Sequence, residues 1–340
     1  MKIGVVGLGY WGPNLVRNFL STNHVDSVIC CDVSERRLQM AKQKFPSIEV
    51  TVSYEELLSR TDVDAVVIAT PVSTHFPLGM KALQAGKHLL LEKPMTSSVD
   101  EAQRLIDTAS AGGLIVMVDH TFVYTGAVRK IKESIERGVI GDILYFDSVR
   151  VNLGLFQHDT NVIWDLAPHD LSIMDYLIGK SPVAVSAVGV NHFNDVEDLA
   201  YLTVHYDHKL MAHFHVNWLS PVKIRKILIG GSKLMVVYDD MEPSEKVKVY
   251  DKGVEIRETE AIYKTLVQYR TGDMYAPKID LTEALSLMTN EFVDAVRSGK
   301  RPLTDGVSGL NVVRILEAAE KSLRSGGRMV ELSAHGVVTA

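Results

Sequence analysis

The chain has 340 residues, of which 46% are hydrophobic and 23% are charged; these globular values exclude a disordered, collagenous or coiled-coil protein. The net charge of −6 disfavours general binding to nucleic acid or acidic membranes. No apolar run approaches the roughly 18 residues of a membrane span, and the first residues indicate a β-strand rather than a signal peptide. The adjacent Cys30 and Cys31 are interpreted as reduced thiols. Together these features predict a soluble, cytoplasmic protein.

Short apolar runs alternate with helix-like segments over the first 120 residues. The runs are continuous and rich in Val, Ile and Leu, as in strands covered on both faces. This alternation predicts a Rossmann-type, doubly wound parallel sheet in a domain spanning residues 1–122. The predicted strands are Lys2–Val6, Val25–Cys31, Ala65–Ala69, His88–Leu91 and Leu114–Val118, and the predicted helices are Pro13–Leu20, Ser34–Phe45, Tyr54–Leu58, Thr74–Ala85 and Ser98–Ala111.

Longer segments with alternating polarity follow, and they predict an α+β domain over residues 123–340 with an open, mainly antiparallel sheet. Glu255–Asp280 is expected to form a long loop or arm. The predicted strands are Ile143–Val151, Val183–Asn191, Leu199–Tyr206, Leu210–Trp218, Ile224–Ile229, Leu234–Tyr238, Lys246–Tyr250 and Arg328–Leu332, and the predicted helices are Ala127–Arg137, Asp170–Ile178, Thr282–Arg297 and Ser308–Arg324.

A glycine-rich turn, Gly7-Leu8-Gly9-Tyr10-Trp11-Gly12, lies between the first predicted strand and the first predicted helix. Its glycines allow a tight turn, close approach of a pyrophosphate and close helix–strand packing. Asp32 ends the second strand, where an acid binds the ribose hydroxyls of NAD. NAD is therefore preferred to NADP, although Arg36 and Arg37 follow closely. The alternative is a plain glycine turn with Asp32 capping a helix.

Glu92-Lys93-Pro94 directly follows the predicted strand His88–Leu91. The carboxyl ends of parallel strands face the ligand crevice in such sheets. Lys93 is therefore a candidate for polarising or deprotonating a substrate hydroxyl near the nicotinamide. The alternative is an exposed, salt-bridging pair.

The glycine turn, Ala69-Thr70-Pro71 with His75, and Glu92-Lys93-Pro94 together resemble the glucose–fructose oxidoreductase/inositol dehydrogenase (Gfo/Idh/MocA) family. The resemblance covers essentially the whole chain. It implies that the glycine turn with Tyr10 and Trp11 binds the cofactor, and that Thr70, Pro71 and His75 lie along it. It also implies that Glu92 and Lys93 lie near the nicotinamide ribose and that Lys93 is catalytic.

The family's second catalytic element is an acid followed four residues later by His or Tyr, and here it corresponds to Asp165 and His169. Residues four apart share one side of a helix, and His suits proton transfer near neutral pH. The alternative is a helix cap with a surface His. One departure is visible after the last strand of the first domain, where many members carry Asn or Gln and then Arg but this chain has Asp119-His120-Thr121-Phe122-Val123-Tyr124.

The segment leading to Asp165 is rich in hydrogen-bonding groups, and Arg150, Asn152, His158 and Asn161 are candidate substrate-binding residues; ordinary loop polarity is the alternative. His213 and His215 share one strand face, but their spacing fits no standard zinc pattern, so no metal is expected. The uncovered face of the second sheet predicts a homodimer or homotetramer.

Together with these residues, the resemblance implies an NAD-dependent sugar dehydrogenase in which His169 takes the hydroxyl proton, Lys93 polarises the oxygen and Asp165 orients the site. The resemblance is strongest to the branch that oxidises nucleotide-linked sugars such as UDP-N-acetylglucosamine or its uronic acid at the 3-hydroxyl. The alternatives are a keto-deoxysugar reductase, an inositol or free-sugar dehydrogenase, and a catalytically silent NAD-binding regulator.

Overall fold

The computed structural model describes residues 1–154, 160–193, 195–207, 209–251, 253–257, 266–270 and 272–332. The chain divides into two compact units. The first contains Met1–Thr125 and Leu281–Glu317, and the second contains Gly126–Asp280 and Ala318–Ala340. The chain therefore returns to the first unit after completing most of the second.

The first unit contains a six-stranded parallel sheet with the order β3-β2-β1-β4-β5-β6. Its central strands are almost entirely buried, which explains their continuous apolar runs. This is the predicted Rossmann architecture. The strands are β1 Lys2–Val6, β2 Ser27–Cys31, β3 Glu49–Thr51, β4 Ala65–Ile68, β5 His88–Glu92 and β6 Val116–Asp119, and the helices are α1 Gly12–Ser21, α2 Glu35–Lys44, α3 Tyr54–Ser59, α4 His75–Gln84, α5 Val99–Gly112 and, later in the chain, α8 Ala284–Ser298.

One strand of this sheet was not predicted. Glu49–Thr51 pairs in parallel with β2 at the sheet edge. Glu49 and Val50 are exposed and Thr51 is only partly buried, so the segment lacks the apolar run that marks the other strands. The strand Glu49–Thr51 forms because its backbone pairs with β2, and not because of an apolar pattern in its own sequence.

The second unit is built on a nine-stranded sheet with the order β16-β13-β12-β11-β7-β10-β9-β8-β17. Its pairs are antiparallel except β10 with β7, as expected for a mainly antiparallel sheet. The strands are β7 Ile143–Leu153, β8 Ala184–Val190, β9 Leu199–His205, β10 Met211–Asn217, β11 Leu219–Gly231, β12 Met235–Asp239, β13 Val247–Tyr250, β14 Gly253–Arg257, β15 Leu266–Arg270, β16 Met274–Tyr275 and β17 Val330–Glu331, and the helices are α6 Gly126–Glu136, α7 Val162–Ile178 and α9 Gly306–Arg324, which begins in the first unit.

One expectation for the second unit was wrong. Helix α7 begins at Val162 rather than Asp170, although Pro168 lies inside it and provides no backbone N–H for the helix. Within 255–280, where a long loop or arm was expected, β14 pairs antiparallel with β15 and β16 pairs antiparallel with β13. No helix in the described ranges is long and apolar enough to cross a membrane.

Helix α7 packs against β7, β9 and β10 of the nine-stranded sheet. Alternate residues of β10, including Ala212, Phe214 and Val216, are buried, whereas Met211 is exposed and the intervening residues are partly exposed. One face of the sheet thus supports α7, and the other carries the more exposed side chains.

Candidate active site

The glycine turn after β1 depends on each of its glycines for a different reason. Gly7 has a φ of +93°, and a Cβ there would lie 2.6 Å from the Ala69 carbonyl oxygen. A Cβ on Gly12 would lie 2.0 Å from the Gly7 carbonyl oxygen. A Cβ on Gly9 would meet nothing within 4 Å among the described residues. Gly7 and Gly12 are therefore required by the fold, while Gly9 leaves open space against the backbone.

That open space lies at the start of α1, whose first turn receives no side-chain cap from the described residues. The N–H groups of a helix N-terminus and its dipole attract phosphate. The turn therefore fits the pyrophosphate of a dinucleotide. Tyr10 is 86% exposed and packs edge-on against Trp11, with ring centroids 5.8 Å apart.

Asp32 is held at the end of β2 by two backbone N–H groups. Oδ2 accepts from Leu8 N at 2.7 Å and Oδ1 accepts from Ser34 N at 2.8 Å. Each carboxylate oxygen keeps a further lone pair, as a ribose hydroxyl would need. Arg37 Nη1 lies 3.7 Å from Asp32 Oδ2, so the nearby arginine lies close to the Asp32 negative charge.

His75 connects two of the predicted cofactor-binding segments. Its Nε2 lies 2.9 Å from the Thr70 carbonyl oxygen and its Nδ1 lies 3.0 Å from the Pro94 carbonyl oxygen. Burial is the main cause that lowers its pKa, against the raising effect of these carbonyls. Pro71 accepts through its carbonyl oxygen from Thr74 N at 2.9 Å. His75 thus ties the end of β4 to the turn after β5.

Glu92 and Lys93 lie at the carboxyl end of β5. Glu92 is buried and accepts a hydrogen bond from the Lys93 backbone N–H, and Lys93 is partly exposed. Asp119, the last residue of β6, is the register partner of Glu92. The strand register therefore places a second acid beside Glu92, the residue that precedes the candidate lysine.

Asp119 and His120 are site candidates that the sequence interpretation did not select. Burial raises the pKa of Asp119 to about 6, and burial followed by the Lys93 charge lowers the pKa of His120 to about 3. Neither ring nitrogen of His120 has a hydrogen-bond partner within the described ranges. The sequence signal was polar residues at the carboxyl end of an apolar strand, the same signal that selected Lys93.

The second group of candidates lies on α7, in the other unit. Asn161 caps the helix by accepting from the backbone N–H groups of Ile163 and Trp164 at 3.1 and 3.2 Å. Its side chain also donates to Glu197 Oε2 at 3.1 Å. Asn161 therefore has a structural role at the start of the helix that carries Asp165 and His169.

Asp165 and His169 lie one turn apart on α7 and are both partly exposed, whereas Pro168 and Asp170 between and beside them are buried. Trp218, which is fully buried, donates from Nε1 to Asp165 Oδ2 at 3.0 Å. The carboxylate is thus oriented by the residue that directly follows β10, and the acid and His share a helix face as predicted from their spacing.

Within the second unit, Arg150 donates two hydrogen bonds to the buried Asp170. Asn152 lies near the end of β7 and is partly exposed, and His158 lies outside the described residues. Tyr201 stacks on His213 and His215 with ring centroids 6.0 and 4.6 Å away. Among the residues that the structure describes, no group of three or more His, Cys, Asp or Glu side chains could hold a metal ion.

Comparison with known proteins gives two family matches. Residues 1–120 match the oxidoreductase family with an NAD-binding Rossmann fold, Gfo/Idh/MocA, and residues 128–237 match the C-terminal domain of the same family. The two matches lie in the same order as the two architectures described above.

Individual relatives extend over nearly the whole chain. The UDP-N-acetylglucosamine 3-dehydrogenase of Acidithiobacillus ferrooxidans is 27% identical over 92% of this chain and 94% of its own. A solved structure of that enzyme has a TM-score of 0.78 at 26% identity, covering 96% of this chain and 98% of the other. The NADP-dependent scyllo-inositol 2-dehydrogenase of Bacillus subtilis is 24% identical over 95% of this chain and 93% of its own. With its glycine turn, its parallel and antiparallel sheets and both family matches, this chain belongs to the Gfo/Idh/MocA family of oxidoreductases, enzymes with an NAD-binding Rossmann fold.

Proposed function

We propose that the protein oxidises a ring hydroxyl of a nucleotide-linked sugar, UDP-N-acetylglucosamine or its uronic acid, at the 3-hydroxyl. The observation that carries this proposal is the near full-length similarity to the Acidithiobacillus ferrooxidans enzyme in both sequence and structure. The first unit holds NAD and the second binds the sugar.

The chemistry that NAD supplies when bound is acceptance of a hydride from the sugar carbon. Gly9 with the start of α1 would hold the pyrophosphate, and Asp32 would hold the ribose hydroxyls. Thr70, Pro71 and His75 shape the edge along which the cofactor lies. Tyr10 and Trp11 flank the turn. Glu92 lies beside Lys93.

Three residues of this chain handle the proton and charge of the substrate hydroxyl. His169 takes the hydroxyl proton on a ring nitrogen, and the Lys93 ammonium stabilises the negative charge that develops on the oxygen. Asp165, held by Trp218, orients the site. In the reverse direction His169 returns the proton. Asn152, Asn161 and His158 are proposed to line the sugar site, and Arg150 supports it through α7.

The test is to incubate the protein with NAD and a panel of nucleotide sugars and free polyols, following absorbance of the reduced nicotinamide. A keto acid is included as an electron acceptor and product masses are read in parallel, so that a tightly held cofactor does not hide turnover. Oxidation of a UDP-sugar is the expected result. Turnover of inositol alone would show that the substrate is a free polyol rather than a nucleotide sugar, while the roles proposed for the residues would stand. Similarity to the inositol dehydrogenase supports this second candidate.

Variants then test the residue roles. Lys93→Met and His169→Gln should each lower kcat at least 100-fold, the usual range for a lost acid–base or charge-stabilising group, while NAD binding is retained. Lys44→Met, at an exposed position on α2, is the matched control. NAD-dependent capture of a partner protein without turnover of any sugar would instead favour a regulator.

We also propose that the protein forms a homodimer or homotetramer through the outer face of the nine-stranded sheet. This face presents Val188, Tyr201 and Met211, which are 53%, 39% and 50% exposed. A face of this kind is usually covered by self-association. Tyr201→Glu should dissociate the assembly in sedimentation experiments, and an unchanged mass would refute this interface.

A further inference from the structure

Trp218, whose indole donates to Asp165, is itself held on two further sides. Its backbone N–H donates to the Asp198 carbonyl oxygen at 2.9 Å, and its carbonyl oxygen accepts from Gly154 N at 3.0 Å. A Cβ on Gly154 would lie 2.5 Å from Trp218 Cδ1, so the indole packs directly on that glycine. Because Trp218 is also fully buried, the donor that binds Asp165 has a fixed position within the second unit.

The start of α7, the helix that carries Asp165, is held by Glu197. The Glu197 carbonyl oxygen accepts from Val162 N at 2.9 Å, and Glu197 Oε2 accepts from Asn161 Nδ2 at 3.1 Å. The oxygen of the same Asn161 amide caps the helix. Since an amide donates through its nitrogen and accepts through its oxygen, the Glu197 carboxylate favours the orientation in which the Asn161 oxygen faces the helix.

Glu197 and Asp198 are consecutive residues, so a single peptide unit joins these two attachments. The carbonyl oxygen of Glu197 binds the start of the helix that carries Asp165, and the next carbonyl oxygen binds the residue that donates to Asp165. Consecutive Cα atoms stay about 3.8 Å apart across a trans peptide bond. The start of α7 and Trp218 therefore cannot move apart without losing one of these hydrogen bonds.

The side chains of both residues are also fixed. The Asp198 carboxylate is 1% exposed and accepts from His192 N at 2.8 Å and from His192 Nδ1 at 2.7 Å. A Cβ on Gly189 of β8 would lie 3.1 Å from Glu197 Cγ, so the partly buried Glu197 side chain packs closely on this glycine. Removing one partner of a buried hydrogen bond is costly, so these contacts hold the Glu197–Asp198 segment in one arrangement.

We propose that Glu197 and Asp198 are positioning residues, which join the start of α7 to Trp218 and so keep the Asp165 carboxylate in one orientation. This inference rests on the role proposed for Asp165 in the oxidation. Glu197 and Asp198 act through Trp218 and α7, and not on the substrate or the cofactor.

The first experiment removes the acceptor that Glu197 offers to Asn161. Glu197→Ala should lower kcat about tenfold, because a small displacement of a group at the reacting centre is costly, while the dissociation constant for NAD should not change. Glu197→Gln keeps an oxygen for Asn161 and should restore the wild-type kcat. Glu245→Ala, at an exposed position between β12 and β13, is the control. An unchanged kcat in Glu197→Ala, or an equal loss in Glu197→Gln, would contradict the proposal.

The second experiment does not depend on turnover. The chain has three tryptophans, so a protein labelled with 5-fluorotryptophan gives three fluorine resonances. The variant Trp218→Phe identifies the resonance of Trp218 by its loss. Asp165→Leu removes the acceptor of the indole N–H and shows where this resonance lies when the hydrogen bond is broken.

The Trp218 resonance should move toward that position in Glu197→Ala and in Asp198→Asn, and it should stay in place in Glu245→Ala. Because Glu197 is only partly buried, its variant keeps the inference testable if Asp198→Asn fails to fold. A moved resonance in a protein that oxidises no sugar would support the positioning, and only the proposed function would fail. A lower thermal midpoint with an unmoved resonance would show that Glu197 and Asp198 only stabilise the fold, and would overturn the inference.

Discussion

Arg150 and Asp170 form a buried, two-bonded ion pair that fixes α7 to the nine-stranded sheet. Arg150 Nε and Nη2 donate to the two Asp170 oxygens at 2.9 and 2.6 Å, and each side chain is 3% exposed. Ser148 Oγ also donates to Asp170 Oδ2 at 2.8 Å. Because Asp170 directly follows His169, this pair sets the rotation of the helix that carries Asp165 and His169.

Removing only one partner of this ion pair should strongly lower the free energy of unfolding. Arg150→Met leaves the Asp170 charge buried without its cation, and the free energy of unfolding should fall by about 3–5 kcal/mol. The double variant Arg150→Met/Asp170→Leu removes both charges and should lose less stability than Arg150→Met alone. Urea denaturation measures both. A single variant as stable as wild type would show that the pair does not anchor α7.

Substitutions of Gly12 and Gly9 should affect different properties of the protein: the first should affect stability and the second should affect cofactor binding. Gly12→Ala places a methyl group 2.0 Å from the Gly7 carbonyl oxygen and should lower the thermal midpoint strongly. Gly9→Ala meets no described atom within 4 Å, so it should preserve the midpoint but weaken NAD binding by crowding the pyrophosphate. Thermal unfolding and calorimetric titration with NAD, carried out on both variants, check this contrast. Equal effects on stability would contradict it.

The choice between NAD and NADP should depend on the charge of Asp32. Asp32→Asn removes the repulsion of a 2′-phosphate while keeping an acceptor for Leu8 N, and it releases Arg37 from the nearby charge. The ratio of NADP to NAD affinity should rise about tenfold, the effect of roughly 1.4 kcal/mol. Dissociation constants for both cofactors test this, with Arg36→Gln as a neighbouring control. An unchanged ratio of NADP to NAD affinity would show that Asp32 does not determine which of the two cofactors is preferred.

Acid should destabilise the first unit through its buried histidines. His120 has its pKa lowered to about 3, so it stays neutral when folded but takes up a proton near pH 6.5 when unfolded. Its stabilising contribution is therefore present above pH 6.5 and is lost as the pH falls toward 3. Between pH 7 and pH 5 the loss is about 2 kcal/mol. Asp119, with its pKa raised to about 6, stabilises the folded state as the pH falls below 6 and offsets part of this loss.

The measurement is the free energy of unfolding of His120→Phe against pH. This variant gives up no hydrogen bond to the described residues and should show a flatter acid dependence than wild type. His24→Asn is the control, because His24 is exposed with a φ of 66°, a conformation that Asn tolerates. Equal slopes for His120→Phe and wild type would exclude His120 as a source of the acid sensitivity.

The start of α7 shows why the sequence pattern predicted the beginning of this helix at the wrong residue. Pro168 disfavours a helix interior, which predicts a helix only after it. Asn161 overrides this by satisfying two N–H groups of the first turn, and Val162, Ile163 and Trp164 are buried against the rest of the unit. Capping was visible in the sequence, whereas burial of the first turn was not.

The sequence by itself determined the features that depend on neighbours along the chain. Continuous apolar runs specify strands covered on both faces, and the glycine spacing specifies a turn that only glycine allows at Gly7 and Gly12. The same local logic identified the family through the glycine turn, Ala69-Thr70-Pro71 with His75, and Glu92-Lys93-Pro94. Only the tertiary structure decided which charges meet. It paired Arg150 with Asp170 and placed Asp119 beside Glu92 through strand register, because burial and long-range pairing are properties of the folded chain.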